Sequence, residues 1–473
     1  MSTFSGISTA LSSLIAQRQA LEVAGQNIAN ANTVGYTRQR AEATSVPSAS
    51  VPSMFSTGTA AGNGTRVVGI TRMGDVFLDA RVRSATSSAS FQTTQAQNLA
   101  TIESSFAEPT DLGVASSLQT FWSGWQDVAN APDSSAARTV VLGNAADLVA
   151  KISQGYRAVD TQWGQLRTTT ASDVTQLNTT ATSIADLNGQ IRSITVSGGN
   201  ANELIDQRDV LITSLSSLVG ATTQQRADGT VDVLVAGNPI VTGNRSESVS
   251  LLGATTMGSG LGQPPASSAD PVRLQWTRSG TSLNLEGGSM AAKMADLTPT
   301  GALASTATMW NDLATSVATS VNTVHQGGQT LGSPPTTGVD FFSLGAGLPA
   351  ATGLQIAITS PDDIAAADPT KGALDGSWAD KLSQLSTAPD GPEALYRAFV
   401  VDLGVQTNAA SQRATVLEST RSTAENLQLS GASVDLDEEA TNMLAYQRAY
   451  EGAARVLTAM DEMLDTLINR MAV

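Results

Sequence analysis

The chain of 473 residues contains no cysteine and a single histidine, His325. Without cysteine it has no disulfide, no thiolate metal site and no cysteine nucleophile. One histidine cannot build a multi-histidine metal site, and no Ser and Asp can be assigned to it as a triad. We therefore expect His325, which stands just before Gly327 and Gly328, to be a structural residue at a helix end or a turn.

Aromatic residues make up only 4% of the chain, lysine occurs four times, and the formal net charge is −16. Few aromatics beside abundant Ala, Ser and Thr favour close-packed helices over a ligand-stacking pocket. The acidic balance, without a Lys/Arg cluster, argues against binding of nucleic acid or anionic lipid. No apolar run reaches about 18 residues, so no membrane insertion is predicted, and residues 1–30 lack the pattern of a secretory signal peptide.

Apolar residues recur at alternating steps of three and four at both ends of the chain, which predicts two amphipathic helices. We expect these helices to pair as one coiled-coil-like unit. Asp435 and Glu438 are predicted to form a capping box at the start of the second helix. The C-terminal seam comprises Met443, Tyr446, Tyr450, Ala453, Leu457, Met460, Leu464, Leu467 and Met471. The N-terminal seam comprises Phe4, Ile7, Leu11, Leu14, Leu21 and Ile28, interrupted by Arg18 and Gly25.

Residues 27–39 are the most informative segment, because they end the first helix with small polar residues and restart as an extended strand. The amides of Asn27, Asn30 and Asn32 are suited to caps, turns and bonds with backbone groups. Gly35 can adopt a positive φ angle, so the helix is predicted to stop there. Such a segment needs a partner surface, and the C-terminal helix is the candidate.

The rest of the sequence predicts a multidomain α plus β protein whose termini lie together. Residues 136–194 and 202–219 have long helical patterns, whereas residues 221–287 alternate with a period of two and contain turn signals at Asp228-Gly229 and Ala236-Gly237-Asn238. The expected domains are a terminal helical unit (1–35 with 434–473), an extended arm or hairpin (36–80), a helical middle domain (81–220, 288–330 and 375–433), an inserted β-rich domain (221–287) and a loop and strand segment (331–374).

None of the residue patterns in the sequence predicts a catalytic, cofactor or metal site. Residues 345–350 nominally fit a dinucleotide-binding glycine motif, but Pro349 interrupts it and a strand is expected to follow. The acids at 435–439 lack calcium-loop spacing and are better explained as helix-capping residues. Asp206 and Asp209 with Arg208 are expected to have a structural role between helices, and Trp122 and Trp125 to be core residues. We therefore expect no enzyme activity and no cofactor.

The sequence of residues 27–33, Asn-Ile-Ala-Asn-Ala-Asn-Thr, followed by Gly35-Tyr36, resembles the N-terminal signature of bacterial flagellar rod, hook and hook-associated proteins. The continuation Tyr36-Thr37-Arg38-Gln39 is similar to the hook-associated protein 1 family. Three further segments resemble that family in the same order, at residues 204–209, 321–327 and 434–450.

This resemblance implies an axial structural subunit at the hook–filament junction, outside the cell, with an outward-facing β-rich domain. It implies export in an unfolded state through the flagellar type III channel. The implied partners are further copies of the chain, the hook protein on the proximal side, hook-associated protein 3 on the distal side, and a cytoplasmic export chaperone at the C-terminal helix. The expected assembly residues are Leu11, Leu14, Leu21, Asn27, Ile28, Asn30, Asn32, Gly35, Tyr36, Arg38, Gln39, Tyr446, Tyr450, Leu457, Leu464 and Leu467.

Two alternatives stay open on the sequence alone. The chain could be a hook or distal rod protein, against which Tyr36-Thr37-Arg38-Gln39 and the His325 region argue. Its inserted β-rich domain could instead carry an adhesive or hydrolytic activity. That insert holds acids at Asp228, Asp232 and Glu247, but they form no convincing catalytic pair.

Overall fold

The computed structural model describes residues 3–47 and 62–466. The side chain of Phe4 and residues Leu467 and Met471, which entered the expectations above, lie outside that part, as do residues 48–61 of the expected arm. The helices are α1 (Thr3–Asn30), α2 (Val76–Ser105), α3 (Val114–Asn130), α4 (Ser135–Val196), α5 (Asn202–Val219), α6 (Met257–Leu261), α7 (Ser289–Asp296), α8 (Ala302–His325), α9 (Ala350–Gly353), α10 (Ser377–Ser383), α11 (Pro392–Ala432) and α12 (Leu436–Asp465), with 3₁₀ turns at Pro361–Asp363 and Gln384–Thr387.

The described residues also contain eleven short strands. They are β1 (Gln39–Ser45), β2 (Thr65–Arg72), β3 (Thr222–Gln225), β4 (Val231–Val235), β5 (Asn238–Thr242), β6 (Arg245–Ser246), β7 (Val249–Leu252), β8 (Arg273–Trp276), β9 (Ser282–Leu283), β10 (Phe342–Leu344) and β11 (Leu354–Ile356). The predicted combination of paired terminal helices, a helical middle and a small inserted β region is confirmed.

The terminal helices α1 and α12 run antiparallel, since Gly6 lies against Met460 at one end and Asn27 against Glu439 at the other. The expected leucine seam of α1 is wrong in detail, because Leu11 is 49% exposed. The side chains that α1 buries are mostly small, which lets its neighbours approach closely: Ala10, Ala16, Val23, Ala24 and Asn27. Leu14, Leu21 and Ile28 are half-buried.

The seam of α12 faces α1 but is only partly covered. Tyr446, Leu457 and Leu464 are half-buried, and Tyr450 is exposed. In the described part of α12, only Glu439 is fully buried. A lone partner helix therefore leaves much of this apolar face in contact with solvent.

The predicted arm is an antiparallel hairpin of β1 and β2 that lies along α1. Its register runs from Gln39 opposite Arg72 to Ser45 opposite Thr65, with an irregularity after Glu42. The Thr65 N–H donates to Ser12 Oγ of α1 at 3.3 Å. The hairpin is thereby fixed to α1 at its far end.

The middle region is built around α4, whose 62 residues span about 93 Å at 1.5 Å per residue. One apolar cluster surrounds its N-terminal half and contains Trp125, Trp163 and Trp310. A second cluster lies on its C-terminal half, where α4 and α5 pack against β3–β9. These strands form sheets of order β3-β4-β5-β6 and β7-β8-β9. The β region thus shares its core with helices of the middle region.

The far end of the middle region contains β10 and β11, which pair antiparallel. Residues 345–350, the nominal glycine motif, form part of the connection between these two strands, so they do not lie between a strand and a long helix. The strand expected to follow this motif is present and covers Leu354–Ile356.

Candidate assembly joint

Asn27 lies at the point where α1, the segment 36–39 and α12 meet, and its side chain is 1% exposed. Its amide nitrogen donates to Gln39 O at 2.8 Å and to Glu439 Oε2 at 3.2 Å. Its amide oxygen accepts from the Gln39 N–H at 3.0 Å and from the Tyr36 hydroxyl at 2.9 Å. One side chain of α1 therefore bonds both to the segment 36–39 and to α12, which is more than 400 residues away in sequence.

Arg38 connects the same segment to the first turn of α12. Its Nη2 lies 2.7 Å from both Glu438 Oε1 and Glu439 Oε1. The bond to Glu438 raises the pKa of Arg38 and lowers the pKa of Glu438. The Arg38 N–H also donates to Ala432 O, the last residue of α11, at 2.8 Å.

The capping box predicted at the start of α12 is only half present. The Asp435 carboxylate accepts from the Asp437 and Glu438 N–H groups, as an N-cap should. The side chain of Glu438 binds Arg38 instead of returning to the Asp435 backbone. The ion pair with a distant arginine has replaced the local bond.

The other side of segment 36–39 contacts α5. Gln39 Nε2 donates to Glu203 Oε1 at 3.2 Å, and Asn202 Nδ2 donates to Gln39 Oε1 at 3.0 Å. The Thr37 N–H donates to Asp206 Oδ2 at 3.1 Å. Burial, and then the nearby carboxylates of Glu203, Asp206 and Glu439, raise the pKa of Tyr36 to about 12. We call this meeting point of α1, residues 36–39, α12 and α5 the joint.

Two arginines of the arm and of α2 extend the joint into the middle region. Arg72 Nη2 lies 2.6 Å from Asp206 Oδ1 and 3.1 Å from Asp209 Oδ2, and Arg83 Nη2 lies 3.3 Å from Asp209 Oδ1. Burial raises the pKa of Asp206, although Arg72 opposes the shift. Arg208, whose pKa is lowered by burial, donates to Asn188 Oδ1 of α4 at 3.0 Å. The structural role expected for residues 206–209 is confirmed.

Helix α1 ends earlier than predicted, at Asn30 and not at Gly35. Asn30 Nδ2 donates to Gln26 O at 3.0 Å, and Thr33 Oγ1 donates to Asn30 Oδ1 at 3.2 Å. Gly35 has a φ of +80°, and a Cβ at this position would collide with Val210 of α5. Asn32 is exposed at the tip of the turn.

His325 lies far from the joint and is fully buried at the end of α8. Its Nδ1 is 2.7 Å from Val339 O, and its Nε2 accepts from the Ala365 N–H at 2.8 Å. The ring is therefore neutral, with its proton on Nδ1, and holds two loops together. The structural role predicted for this histidine is confirmed.

The hydrogen bonds and ion pairs of the joint connect α1, residues 36–39, α12 and α5. Its charged groups bind one another across elements. Arg72 and Arg83 bind Asp209, and Glu203 binds Gln39, each across more than 120 residues, so sequence spacing did not identify these three residues. In residues 3–47 and 62–466 there is no group of three or more acidic, His or Cys side chains placed to hold a metal ion. No helix of that part is long and apolar enough to cross a membrane.

Three family models match separate parts of this chain. A model described as a flagella basal body rod protein matches residues 7–37, and one for the FlgEFG basal body rod C-terminal region matches residues 428–471. A model for the helical domain of flagellar hook-associated protein FlgK matches residues 99–342. Flagellar hook-associated protein 1 of Bacillus subtilis is 31% identical over 507 aligned residues, which cover 100% of this chain and 99% of that protein.

The chain belongs to the flagellar hook-associated protein 1 family. Flagellar hook-associated protein 1 of Escherichia coli is 29% identical over 354 residues, covering 72% of this chain and 60% of that protein. The solved structure of the flagellar hook junction protein FlgK from Burkholderia pseudomallei aligns with a TM-score of 0.63 at 16% identity, over 75% of this chain and 100% of that one. That structure shares the fold of this hook-associated protein 1 family member.

Proposed function

We propose that this chain is a structural subunit of the bacterial flagellum at the junction between hook and filament, assembled outside the cell after export from the cytoplasm. Membership of the flagellar hook-associated protein 1 family carries the proposal. Its partners would be further copies of itself, the hook protein on one side and hook-associated protein 3 on the other. An export chaperone would bind α12 before secretion.

The distribution of burial supports assembly by coupled folding and association. Neither apolar cluster of the described residues includes a side chain from α1 or α12. The terminal pair is thus held mainly by a half-covered seam and by the joint. Ordering a helix pair costs conformational entropy, which burial against neighbouring copies would offset.

Removal of residues 435–473 tests this proposal. We expect the truncated chain to keep the circular dichroism and thermal unfolding of its middle region but not to bind hook tips. Both proteins would be added from outside to hook-bearing cells that lack their own copy, so that a defect in export does not affect the result.

Electron microscopy with a label on the chain would locate the full-length protein. Full-length protein along the hook or in the rod, and not at the hook–filament junction, would contradict the proposed function and favour the hook or distal rod alternative. Truncated protein that still binds at the junction would contradict only the coupled-folding mechanism.

A further inference from the structure

Phe77 is exceptional among the aromatic residues whose exposure the structure describes, because it is 85% exposed. Most aromatic side chains in the described residues are buried, including Trp125, Trp163 and Trp310. Phe77 lies in the first turn of α2, beside Val76, which is 51% exposed. Exposed aromatic residues of this kind are frequent anchors of protein interfaces.

Arg81 lies one turn after Phe77 on the same face of α2, because residues four apart are neighbours on a helix. Its side chain is exposed and forms no ion pair with the described residues, unlike Arg83 at the joint. The start of α2 therefore presents an apolar ring beside an unpaired cation. We call Phe77 and Arg81 the knob.

A groove with the complementary character lies between α8 and α11. It has a volume of about 470 Å³ and an apolar floor that includes Met309, Phe399 and Leu403. Two exposed carboxylates, Asp312 and Asp402, line it, and neither forms an ion pair with the described residues. None of the groove residues is basic.

The knob and the groove lie at opposite ends of the helix pair α2 and α11, so one copy cannot bring them together. Asp79, next to the knob, binds Gln428 near the C-terminal end of α11, whereas the groove lies around Leu403. Twenty-five residues of helix separate these two positions, which corresponds to about 38 Å. Only a second molecule can therefore place a knob in this groove.

We propose that Phe77 and Arg81 of one copy bind the groove between α8 and α11 of a second copy, stacked head to tail. The ring covers Met309 and Phe399, and the guanidinium pairs with Asp312 or Asp402. Because the two surfaces differ and lie at opposite ends, the contact is heterologous and repeats from copy to copy. This inference rests on the proposed function, in which copies of the chain assemble on one another.

Substitutions at the knob test the contact through assembly. Phe77→Ser and Arg81→Glu should each lower incorporation at the hook tip by at least about tenfold, with unchanged thermal unfolding because both side chains are exposed. Val416→Ser is the matched control, since Val416 is 65% exposed on α11 between the two surfaces. Arg81→Glu combined with Asp312→Arg and Asp402→Arg should recover incorporation, because the charges are exchanged.

Cross-linking gives the second readout, since the chain has no cysteine of its own. Copies carrying Arg81→Cys mixed with copies carrying Asp402→Cys should form a disulfide after assembly, and copies carrying Val416→Cys in place of the latter should not. Wild-type levels of incorporation by both knob variants, or equal cross-linking at positions 402 and 416, would overturn the knob and groove. Absence of the wild-type protein from the junction would instead overturn the proposed function.

Discussion

At the scale of single residues, Asn27 is the side chain on which the joint depends most. Its amide makes four hydrogen bonds, two of them with the backbone of Gln39. No apolar or shorter side chain can form these four hydrogen bonds. Buried groups that lose such partners cost about 1–3 kcal/mol each.

We expect Asn27→Ala to destabilise the terminal pair by about 2–3 kcal/mol, because Gln39 and Glu439 would each lose a buried partner. Hydrogen exchange of the α1 amides measures this change. Asn32→Ala is the control, since Asn32 is exposed, and its effect should stay within about 0.5 kcal/mol. Equal effects of the two substitutions would contradict the role assigned to Asn27.

His325 makes the middle region sensitive to acid. Burial lowers its pKa from the usual value of about 6.5, so below that pH the unfolded chain binds a proton that the folded chain does not. The stability contribution is therefore present above about pH 6.5 and is lost as the pH falls, at up to about 1.4 kcal/mol per pH unit.

Proton NMR can follow this ring without ambiguity, because it is the single histidine of the chain. The Hε1 signal of the folded protein should not titrate near pH 6.5. A titration midpoint at or above 6.5 would show that the ring is not held neutral by its surroundings.

The sequence predicted individual polar residues well where the motif itself is local. Asn27 was expected to need a partner, and Gln39 and Glu439 are among those that it binds. Arg72 and Arg83 carried no local signal, because each contacts Asp209 across more than 120 residues. Long-range ion pairs of this kind depend on the fold and cannot be read from spacing.

At the scale of elements, α4 shows how packing decides the effect of one substitution. Gly155 lies against the indole of Trp310 in α8, whereas Gly143 of the same helix faces open space. A methyl group at position 155 has no room beside Trp310. At position 143 a methyl group meets no neighbour, so its main effect is to restrict the backbone conformations of the unfolded chain.

We expect Gly155→Ala to destabilise the protein by about 1–3 kcal/mol through overpacking. Gly143→Ala should stabilise it by up to about 1 kcal/mol, since alanine is the better helix former. Urea denaturation of both variants checks the pair. The same sign for both would contradict the contact between α4 and α8.

The bounds of α4 and α5 were predicted to within two residues because their apolar periodicity is long and a glycine follows each helix. The buried face of α1 was not, since leucine spacing suggested one side and Ala10, Ala16 and Ala24 occupy the contact. Small residues give little signal in a hydropathy pattern. Their importance appears only once the hairpin and α12 are in place.

At the scale of the whole molecule, the two apolar clusters share helix α4, whereas the terminal pair lies outside both clusters and is connected to the middle region through the joint. Local stability should follow this division. In the free chain we expect amides of α1 and α12 to exchange at least about 100-fold faster than those of α4 near Ile152, a difference of roughly 3 kcal/mol.

In the assembled state this difference should largely disappear, because neighbouring copies would cover the seam. Hydrogen exchange with mass spectrometry on free and assembled protein measures both states. Equal protection of α12 and α4 in the free chain would mean that the terminal pair is already stable alone.

The length of α4 also gives the joint a mechanical meaning. The helix spans about 93 Å, and its C-terminal part is tied to α5 by the bond between Asn188 and Arg208. A tilt of only one degree at that end displaces the opposite end by about 1.6 Å, simply from the length of the lever. The ion pairs at Asp206 and Asp209 hold α5 in place. They would therefore limit how far the N-terminal end of α4 moves when the structure around the joint bends.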